Sequence, residues 1–349
     1  MQKIISKYVK TTNWWVDYDN IFALFWRMKN VIILVPETAV PAAIVDPRYM
    51  FSAINEFYKS ASLQPAFKIQ LAGISNDVHL NDGAFTVHTD ILIQHVKKAD
   101  LIIIPALSGS MPIALQKNEA FIPWIIAQHQ KGAEVASLCI GAFLLAATDL
   151  LNGKVCSTHW LYTNEFKTMF PLVILESDRV ITEQNGIYSS GGATSYWNLL
   201  LYLVEKYTNR EMAIMASKFF LLEMGRNSQS PFVIFNGLKD HEDIEIIKAQ
   251  EFIEKHYQAK ITVDELADKF GIGRRTFERR FKKATANTVI EYMQRVKTEA
   301  AKKQLESGRK TVNEVMHEVG YTDTKAFRDV FKKLVGMSPV DYRNKYRVN

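Results

Sequence analysis

The sequence has only two cysteines, Cys139 and Cys156, among its 349 residues. They fit neither a disulfide framework nor the paired spacing of a structural zinc site. It also lacks the run of about 20 apolar residues that spans a bilayer, because the apolar runs at 21–26 and 31–35 are far shorter. The first residues lack the layout of a cleavable signal peptide. We therefore expect a cytoplasmic protein with no metal, no cofactor and no membrane partner.

The positive charge of the chain is concentrated at one end. From Lys239 onward there are 24 Lys and Arg against 18 Asp and Glu, which leaves 19 of the 43 cations and 19 of the 37 anions before it. The whole net charge of +6 therefore belongs to the last third. Such a concentration is typical of a nucleic-acid partner, although a charged run can also be a solvated surface.

The C-terminal part contains an internal repeat of about 50 residues. Five residues recur with the same order and nearly the same spacing: Thr262, Glu265, Gly271, Phe277 and Phe281 correspond to Thr311, Glu314, Gly320, Phe327 and Phe331. The Thr and Glu form the pattern of a capping box, which opens a helix, and the glycine permits the turn that ends it. A cationic second helix follows, with its Phe pair on one buried face. We therefore predict two helix-turn-helix units, the first reader (residues 262–285) and the second reader (residues 311–335).

The segment between the two readers is expected to be helical. Residues 289–305 contain neither proline nor glycine, and so they predict one continuous helix. Such a helix could hold two readers about 34 Å apart, which is one turn of DNA.

Residues 241–346 resemble the AraC/XylS family of bacterial regulators, on motifs at 266–271, 275–282, 319–323, 327–333 and 336–343. The resemblance implies double-stranded promoter DNA as a partner, with RNA polymerase as a further one. The residues that it places against bases are Arg275, Glu278, Arg279, Thr324, Lys325, Arg328 and Asp329. The residues expected to meet phosphates are Lys282, Lys283, Lys332 and Lys333.

Three positions of the first reader depart from the family pattern. Gly273 stands where a Ser cap is usual, which removes about 0.5 kcal/mol or less of capping. Ala286 and Val289 replace a glycine and a proline in the following turn. Because Asp323 is available to cap the equivalent helix of the second reader, we expect the first reader to be the looser one.

The N-terminal two-thirds alternate apolar runs with helical patterns, which predicts a parallel sheet flanked by helices, a flavodoxin-like α/β domain. The predicted strands are 31–35, 67–71, 101–104, 134–138 and 172–176. Ligands of such folds bind at the carboxyl ends of the strands. The loops expected there are 36–38, 105–110, 138–141 and 189–192.

Cys139 lies in one of these loops, between a run of small apolar residues and a predicted helix, and resembles a nucleophile elbow. A helix N-terminus is expected to lower the pKa of a thiol placed there. The motifs at 136–160, 185–186, 191–192 and 228–232 resemble a PfpI-type, class I glutamine-amidotransferase-like domain, which the GlxA group carries fused to AraC readers. This resemblance implies a sensor domain that forms a homodimer. We expect its effector pocket to include Cys139, Ile140, His159, Ser108, Gly109, Gly191 and Gly192.

The catalytic set of the related enzymes looks incomplete. His159 is the candidate base by its position in the motif, but it can equally be a structural histidine. The usual glycine pair is replaced within residues 105–109, and the position of the usual acid falls on Ala43, with Glu37 elsewhere in that loop. Three interpretations of Cys139 remain open: a catalytic thiolate, a redox-active or ligand-contacting thiol, and an inert residue. We expect Cys156 to be a buried hydrophobe. We expect no catalytic residue.

These observations predict a domain order of an N-terminal extension (1–30), an α/β sensor (31–223), a linker (224–240) and an all-α DNA-binding domain (241–349). We expect a sequence-specific transcription regulator controlled by a small metabolite. The alternatives are a cysteine-dependent amidase or peptidase with a DNA-binding tail, and an architectural DNA binder without sequence preference. The stripe at Leu199, Leu200, Leu203 and Val204 is expected to be core, although it could also face a second subunit.

Overall fold

The computed structural model describes residues 27–225, 228–239 and 241–347. The extension predicted for residues 1–30 therefore lies mostly outside the described residues. The chain divides into two compact units, an N-terminal unit that ends at Gln229 and a C-terminal unit that begins at Ser230. No helix within the described ranges is long and apolar enough to cross a membrane.

The N-terminal unit is built around a seven-stranded sheet. Its strands, together with two small pairs outside the sheet, are β1 (Lys29–Leu34), β2 (Phe67–Gly73), β3 (Asp77–Leu80), β4 (Phe85–His88), β5 (Ile91–Leu92), β6 (Leu101–Ile104), β7 (Glu134–Ser137), β8 (Val155–Cys156), β9 (Ile174–Leu175), β10 (Ile181–Gln184) and β11 (Ile187–Ser190). The order in the sheet is β10-β11-β7-β6-β1-β2-β5. Only β10 runs antiparallel to its neighbour in this sheet. The predicted, mostly parallel α/β domain is confirmed.

Seven α-helices accompany this sheet among the described residues. They are α1 (Pro41–Ser60), α2 (Met111–Lys117), α3 (Phe121–Gln130), α4 (Ala142–Ala146), α5 (Thr163–Met169), α6 (Tyr196–Tyr207) and α7 (Arg210–Phe219). α1 begins with Pro41, whose fixed φ suits the first turn of a helix. The predicted stripe of α6 is fully buried in the core, at Leu199, Leu200, Leu203 and Val204. These side chains therefore cannot face a second subunit.

Four of the five predicted strands are confirmed as β1, β2, β6 and β7. The prediction of a central strand at 172–176 is wrong. Only Ile174–Leu175 is extended, and it pairs with Val155–Cys156 in a separate two-stranded sheet. Leu172 and Ile174 are 67% and 54% exposed, so this apolar run does not lie between helices as a central strand would. The apolar run therefore misled the prediction because hydrophobicity does not by itself report burial.

The position in that sheet is taken instead by β11, which the sequence analysis treated only as a loop. Its serines, Ser189 and Ser190, are fully buried and polar, and they hide its strand character in the sequence. β11, β7, β6 and β1 are neighbours in the sheet and run parallel. The loops that follow them therefore meet at one edge, and these are the four loops predicted to surround a ligand.

The C-terminal unit is entirely α-helical among its described residues apart from a short 3-10 turn at Ser230–Phe232. Its helices are α8 (Ile244–Lys255), α9 (Val263–Lys269), α10 (Arg274–Thr285), α11 (Val289–Glu306), α12 (Val312–Glu318), α13 (Thr324–Val335) and α14 (Pro339–Tyr346). Two separate apolar clusters form around the Phe pairs, one for each reader. The predicted all-α domain is confirmed.

The helix between the readers is continuous, as predicted. α11 has 18 residues and so is about 27 Å long at 1.5 Å per residue. A capping box of Thr288 and Glu291 opens it. Val289 takes the position of the family's proline as the first residue of this helix, whereas the equivalent helix α14 does begin with a proline, Pro339.

Candidate functional site

The first helix of each reader is fixed by the predicted capping box. Thr262 donates its backbone N–H to Glu265 at 2.8 Å, and the hydroxyl of Thr262 accepts from the N–H of Glu265 at 3.2 Å. Thr311 and Glu314 repeat this pair of bonds. The backbone N–H and the hydroxyl of each Thr both donate to the carboxylate of its Glu, and these bonds hold the pKa of both Glu side chains below the usual value. Each reader therefore begins at a defined residue.

The second helices, α10 and α13, have matching burial patterns in the two readers. Phe277 and Phe281 are fully buried in the first reader, as are Phe327 and Phe331 in the second at 2% exposure or less. All the residues predicted to meet DNA are exposed on these helices: Arg275, Glu278, Arg279, Lys282, Lys283, Thr324, Lys325, Arg328, Asp329, Lys332 and Lys333. Because the Phe face of each second helix is buried in its reader, the cationic face of that helix is exposed to solvent.

The arginines of α10 divide into two classes. Arg274 pairs with Asp264 at 2.9 Å, and Arg280 donates two hydrogen bonds to Asp243. Arg275 and Arg279 form no ion pair with any residue that the structure describes. Their guanidinium groups are therefore available for a partner, whereas those of Arg274 and Arg280 bind their own domain.

The caps of the two second helices differ as the sequence predicts. Gly273 begins α10 without a side-chain cap, whereas Asp323 accepts from the backbone N–H of Ala326 at 2.6 Å at the start of α13. At the other end, Ala286 has the left-handed φ of +55°, a conformation that Gly336 adopts after α13. Because a Cβ disfavours this conformation, the first reader is strained at a turn where the second is not.

Cys139 occupies a sharp turn after β7, as the elbow pattern predicts. Its φ is +54°, which is rare for a residue other than glycine. Two residues later, a Cβ on Gly141 would lie 2.4 Å from the carbonyl oxygen of Pro105, so this position has no room for a side chain. The backbone N–H of Cys139 donates to Ser190 Oγ at 3.2 Å and ties the turn to β11.

The thiol of Cys139 does not have the lowered pKa that the sequence analysis expected. Its side chain is buried, and burial raises the pKa to about 12, although a hydrogen bond from the backbone of Ile140 opposes the shift. The following helix, α4, has only five residues, so its dipole is too small to offset the loss of solvation. At neutral pH the group is therefore a thiol and not a thiolate. Cys156 is also fully buried, with its pKa raised to about 12.

His159 lies next to the cysteine loop, since Thr158 donates its hydroxyl to the carbonyl oxygen of Cys139 at 3.2 Å. The ring of His159 caps a short 3-10 helix, where its Nδ1 accepts from the backbone N–H of Leu161 at 3.1 Å. Burial lowers the pKa of His159, which favours the neutral ring. With Nδ1 as an acceptor, the neutral ring carries its proton on Nε2 and has no free nitrogen to accept one.

The other predicted pocket residues lie in the loops at the same sheet edge. Ser108 donates its hydroxyl to the carbonyl oxygen of Thr38 at 2.9 Å, and Gly109 has the positive φ of +79° with open space around it. Gly191 is closely packed, because a Cβ there would lie 2.2 Å from Gln229 Nε2. Gly192 has a φ of +65° at the approach to α6.

The position to which the resemblance assigns the usual acid is Ala43, and Glu37 lies elsewhere in the same loop. Ala43 is fully buried in α1, and Glu37 is exposed and uses its backbone N–H to contact Asn118. An acidic side chain is bonded instead to Tyr196, a residue that Cys139 influences electrostatically. The Tyr196 hydroxyl donates to Asp46 at 2.6 Å.

Tyr196 and Asp46 are site residues that the sequence analysis missed. Burial and the hydrogen bond to Asp46 raise the pKa of the Tyr196 hydroxyl well above its usual value, and Cys139 adds a smaller electrostatic contribution. The two residues are 150 positions apart, and neither belongs to a motif that the sequence analysis used. A polar Asp46 on the mostly apolar face of α1 was the only local signal.

Comparison with known proteins agrees with this geometry. A family model described as "DJ-1/PfpI family" matches residues 29–206, which is more than half of the chain. The chain belongs to the DJ-1/PfpI family. A second model, "Helix-turn-helix domain", matches residues 266–345. This DJ-1/PfpI protein thus carries an AraC-type helix-turn-helix domain behind its α/β domain, which confirms both resemblances.

Two curated relatives of this DJ-1/PfpI chain come from Pseudomonas aeruginosa. "HTH-type transcriptional regulator GbdR" is 26% identical over 239 residues, which are 67% of this chain and 64% of the relative. "HTH-type transcriptional regulator CdhR" is 22% identical over 264 residues, 74% of this chain and 76% of the relative. The chain thus spans slightly less than two thirds of the length of GbdR.

A solved structure supports the fold of the N-terminal unit. A candidate transcriptional regulator protein from Vibrio parahaemolyticus superposes with a TM-score of 0.50 at 21% identity, over 55% of this chain and 99% of its own. At this identity the likeness concerns the fold alone.

Proposed function

We propose that this protein is a sequence-specific, DNA-binding transcription regulator. The observation that carries the proposal is the pair of second helices, α10 and α13, each with an apolar face buried in its reader and a cationic face in solvent. The relatives GbdR and CdhR, both named as HTH-type transcriptional regulators, support it.

Within this proposal, the guanidinium groups of Arg275, Arg279 and Arg328 hydrogen-bond to guanine in the major groove. A bidentate contact of this kind gives about 1–3 kcal/mol of discrimination between bases. The lysines at the C-terminal ends of both helices, which are Lys282, Lys283, Lys332 and Lys333, bind phosphates and fix the register. The 18-residue α11 sets the spacing of the two readers.

The N-terminal unit is proposed to bind a small metabolite at the sheet edge around Cys139. Four loops converge there at the carboxyl ends of parallel strands, which is where ligands of α/β sheets bind. Tyr196 and Asp46 add a hydroxyl and a carboxylate to the expected pocket, and such groups orient a ligand in an otherwise apolar site. A homodimer through this unit and a contact with RNA polymerase complete the proposal.

An enzymatic role is not part of the proposal. The elbow at Cys139 has the backbone shape of a cysteine nucleophile, but a thiol with a pKa of about 12 is protonated at neutral pH. His159 has no free ring nitrogen for the proton. We infer that Cys139 contacts the ligand or fills the turn, and does not catalyse hydrolysis.

The proposal is tested by selecting binding sequences from random DNA duplexes with the full-length protein. Affinity for a selected duplex is then measured against random competitor DNA over a series of salt concentrations. We expect a preference of about 1,000-fold or more for the selected duplex. Equal affinity for both DNAs at every salt concentration would contradict the proposal and favour an architectural binder, because phosphate contacts alone do not read sequence.

The assignment of residues needs variants with a matched control. Arg279→Ala should lose about 1–3 kcal/mol and relax the sequence preference at one position. Lys332→Ala should weaken binding to all duplexes alike and reduce the salt dependence by about one phosphate contact. Lys59→Ala removes an exposed cation from the N-terminal unit and should leave binding unchanged. Hydrolysis of amide or peptide substrates that disappears in Cys139→Ala would contradict the non-enzymatic role.

A further inference from the structure

We propose that residues 228–238, the junction segment, transmit conformational changes of the loops around Cys139 (residues 138–141, 156–160 and 179–192, the cysteine loops) to the two readers. The segment joins the units covalently, and each end of it is bonded to a functional part of its own unit. The inference rests on the proposed function, since it concerns how the N-terminal site would control DNA binding.

The first end of the junction segment is anchored beside Cys139. Gln229 is 1% exposed, and its side-chain amide donates to the carbonyl oxygens of Thr158 and Arg179 at 2.9 and 3.2 Å. Its backbone N–H donates to the carbonyl oxygen of Asp178 at 2.7 Å. Thr158 in turn donates its hydroxyl to the carbonyl oxygen of Cys139. Gln229 is therefore linked to the backbone of Cys139 by hydrogen bonds through one intervening residue, Thr158.

Gln229 is also sensitive to the position of the glycine loop after β11. It fills the space beside Gly191 so closely that a Cβ there would lie 2.2 Å from its Nε2. Its Oε1 is buried and has no hydrogen-bond partner among the described residues. A buried acceptor without a donor favours any rearrangement that supplies one. A ligand that moves the loops at 158 or 191 would thus change how Gln229 is held.

The next residues of the segment are bonded to α11, the helix between the readers. Lys302 is 4% exposed, and its Nζ donates to the carbonyl oxygen of Val233 at 2.5 Å. The same ammonium pairs with Glu299 at 3.0 Å, and Glu299 accepts from the backbone N–H of Phe235 at 3.2 Å. A buried charge is costly to leave unpaired, so this Lys and Glu hold the segment strongly to the helix.

The contact with α11 continues to Gly237. The Phe235 ring packs against Tyr292 at 5.1 Å between centroids. Gly237 has a φ of +66°, and a Cβ there would lie 2.3 Å from the Tyr292 hydroxyl oxygen. Beyond Gly237 the segment contacts α8 instead, where Gln250 donates to the carbonyl oxygen of Leu238 at 2.8 Å. As the segment advances from 233 to 237, its contacts move back along α11 from Lys302 to Tyr292, so it lies antiparallel to the helix.

The segment also reaches the second reader. A cavity of about 20 Å³, enough for roughly one water molecule, is lined by Val233 and Phe235 from the segment, by Arg295 from α11, and by Leu334 and Val335 at the end of α13. The junction segment therefore packs where the connecting helix meets the second helix of the second reader. Movement of the segment would alter the support of that helix.

Because coupling between two sites is reciprocal, DNA bound to the readers must change the cysteine loops if the segment transmits. The experiment measures hydrogen–deuterium exchange of the full-length protein with and without a duplex chosen by selection. In the wild type, we expect DNA binding to change the exchange rates of the amides at 156–160 and 179–192 by about fivefold, either as slower or as faster exchange.

Two variants disrupt the contacts of the junction segment, one at each end. Gln229→Leu removes the amide that binds Thr158 and Arg179, and Gly237→Ala displaces the segment from Tyr292. Both should bind DNA and lose the exchange response in the N-terminal unit. The matched control is Gly225→Ala, which adds the same kind of backbone strain at a φ of +86° with open space around it, and it should keep the response.

The outcomes separate the inference from the proposed function. Sequence-specific DNA binding without any exchange response in the wild type overturns the inference and leaves the proposed function standing. A full response in both Gln229→Leu and Gly237→Ala also overturns it. Absence of sequence-specific DNA binding overturns the proposed function, and the inference with it.

Discussion

Arg280 and Asp243 form a two-pronged ion pair between α10 and the start of α8. Arg280 Nε lies 2.9 Å from one carboxylate oxygen of Asp243, and Nη2 lies 2.6 Å from the other. The same carboxylate caps α8 by accepting from the backbone N–H of Ile246. The pair fixes the second helix of the first reader to the helix that precedes the reader, so Arg280 supports the fold while Arg275 and Arg279 face solvent.

The ion pair predicts a pH dependence of stability. Arg280 holds the pKa of Asp243 below its usual value, so the pair stabilises the C-terminal unit above that usual value, and the contribution is lost as pH falls through the lowered pKa. Asp243→Asn keeps the cap and loses the charge. We expect it to unfold about 1 kcal/mol or less more easily at pH 7, because the pair is partly exposed, and to show a smaller loss of stability below about pH 4.

Urea unfolding of both proteins at neutral and acidic pH measures this difference. An equal loss of stability on acidification in the variant and the wild type would show that Asp243 is not the responsible group.

The two readers should contribute unequally to DNA affinity. Gly273 leaves the second helix of the first reader without a side-chain cap, whereas Asp323 caps that of the second reader. We expect Arg328→Ala to weaken binding to the selected duplex by about 1–3 kcal/mol, and Arg275→Ala by less. Titration of each variant with the same duplex decides the order, and a much larger loss from Arg275→Ala would refute it.

The strain at Ala286 predicts a stabilising substitution. Ala286 is exposed and has a left-handed φ of +55°, so Ala286→Gly removes an unfavourable Cβ without removing a packed side chain. We expect the free energy of unfolding to rise by about 1 kcal/mol. The counterpart Gly336→Ala, at a φ of +78°, should lower it by a similar amount. Chemical unfolding measures both, and changes of the same sign in the two variants would contradict the interpretation.

The buried thiol of Cys139 should be unreactive in the folded protein. Because burial raises its pKa to about 12, the group is overwhelmingly a protonated thiol at pH 7. We expect iodoacetamide to alkylate both Cys139 and Cys156 far more slowly than free glutathione at neutral pH, and at an ordinary rate in denaturant. Mass spectrometry of digests measures the rates separately. Fast alkylation of Cys139 in the folded protein would instead support a redox or catalytic role.

Much of the secondary structure and of the candidate DNA face could be predicted from local sequence. The start of each first helix is set by a capping box that spans only four residues, Thr262–Glu265 and Thr311–Glu314. The Phe pairs at helical spacing fix which face of α10 and α13 is buried, and therefore which cations are exposed. The wrongly predicted strand at 172–176 shows the limit of this reasoning, because an apolar run in the sequence does not reveal whether other elements pack against it.

The sequence by itself determined the two readers, four of the parallel strands and the elbow at Cys139, because caps, periodicity and turns depend on residues close together in the chain. Only the tertiary structure decided that Cys139 is buried with a raised pKa, that Tyr196 contacts Asp46, and that Gln229 is bonded beside the cysteine loop. These properties depend on residues that are distant in the sequence and meet only in the folded core. Solvation and hydrogen bonding there set the charge state of each group, and no local pattern records them.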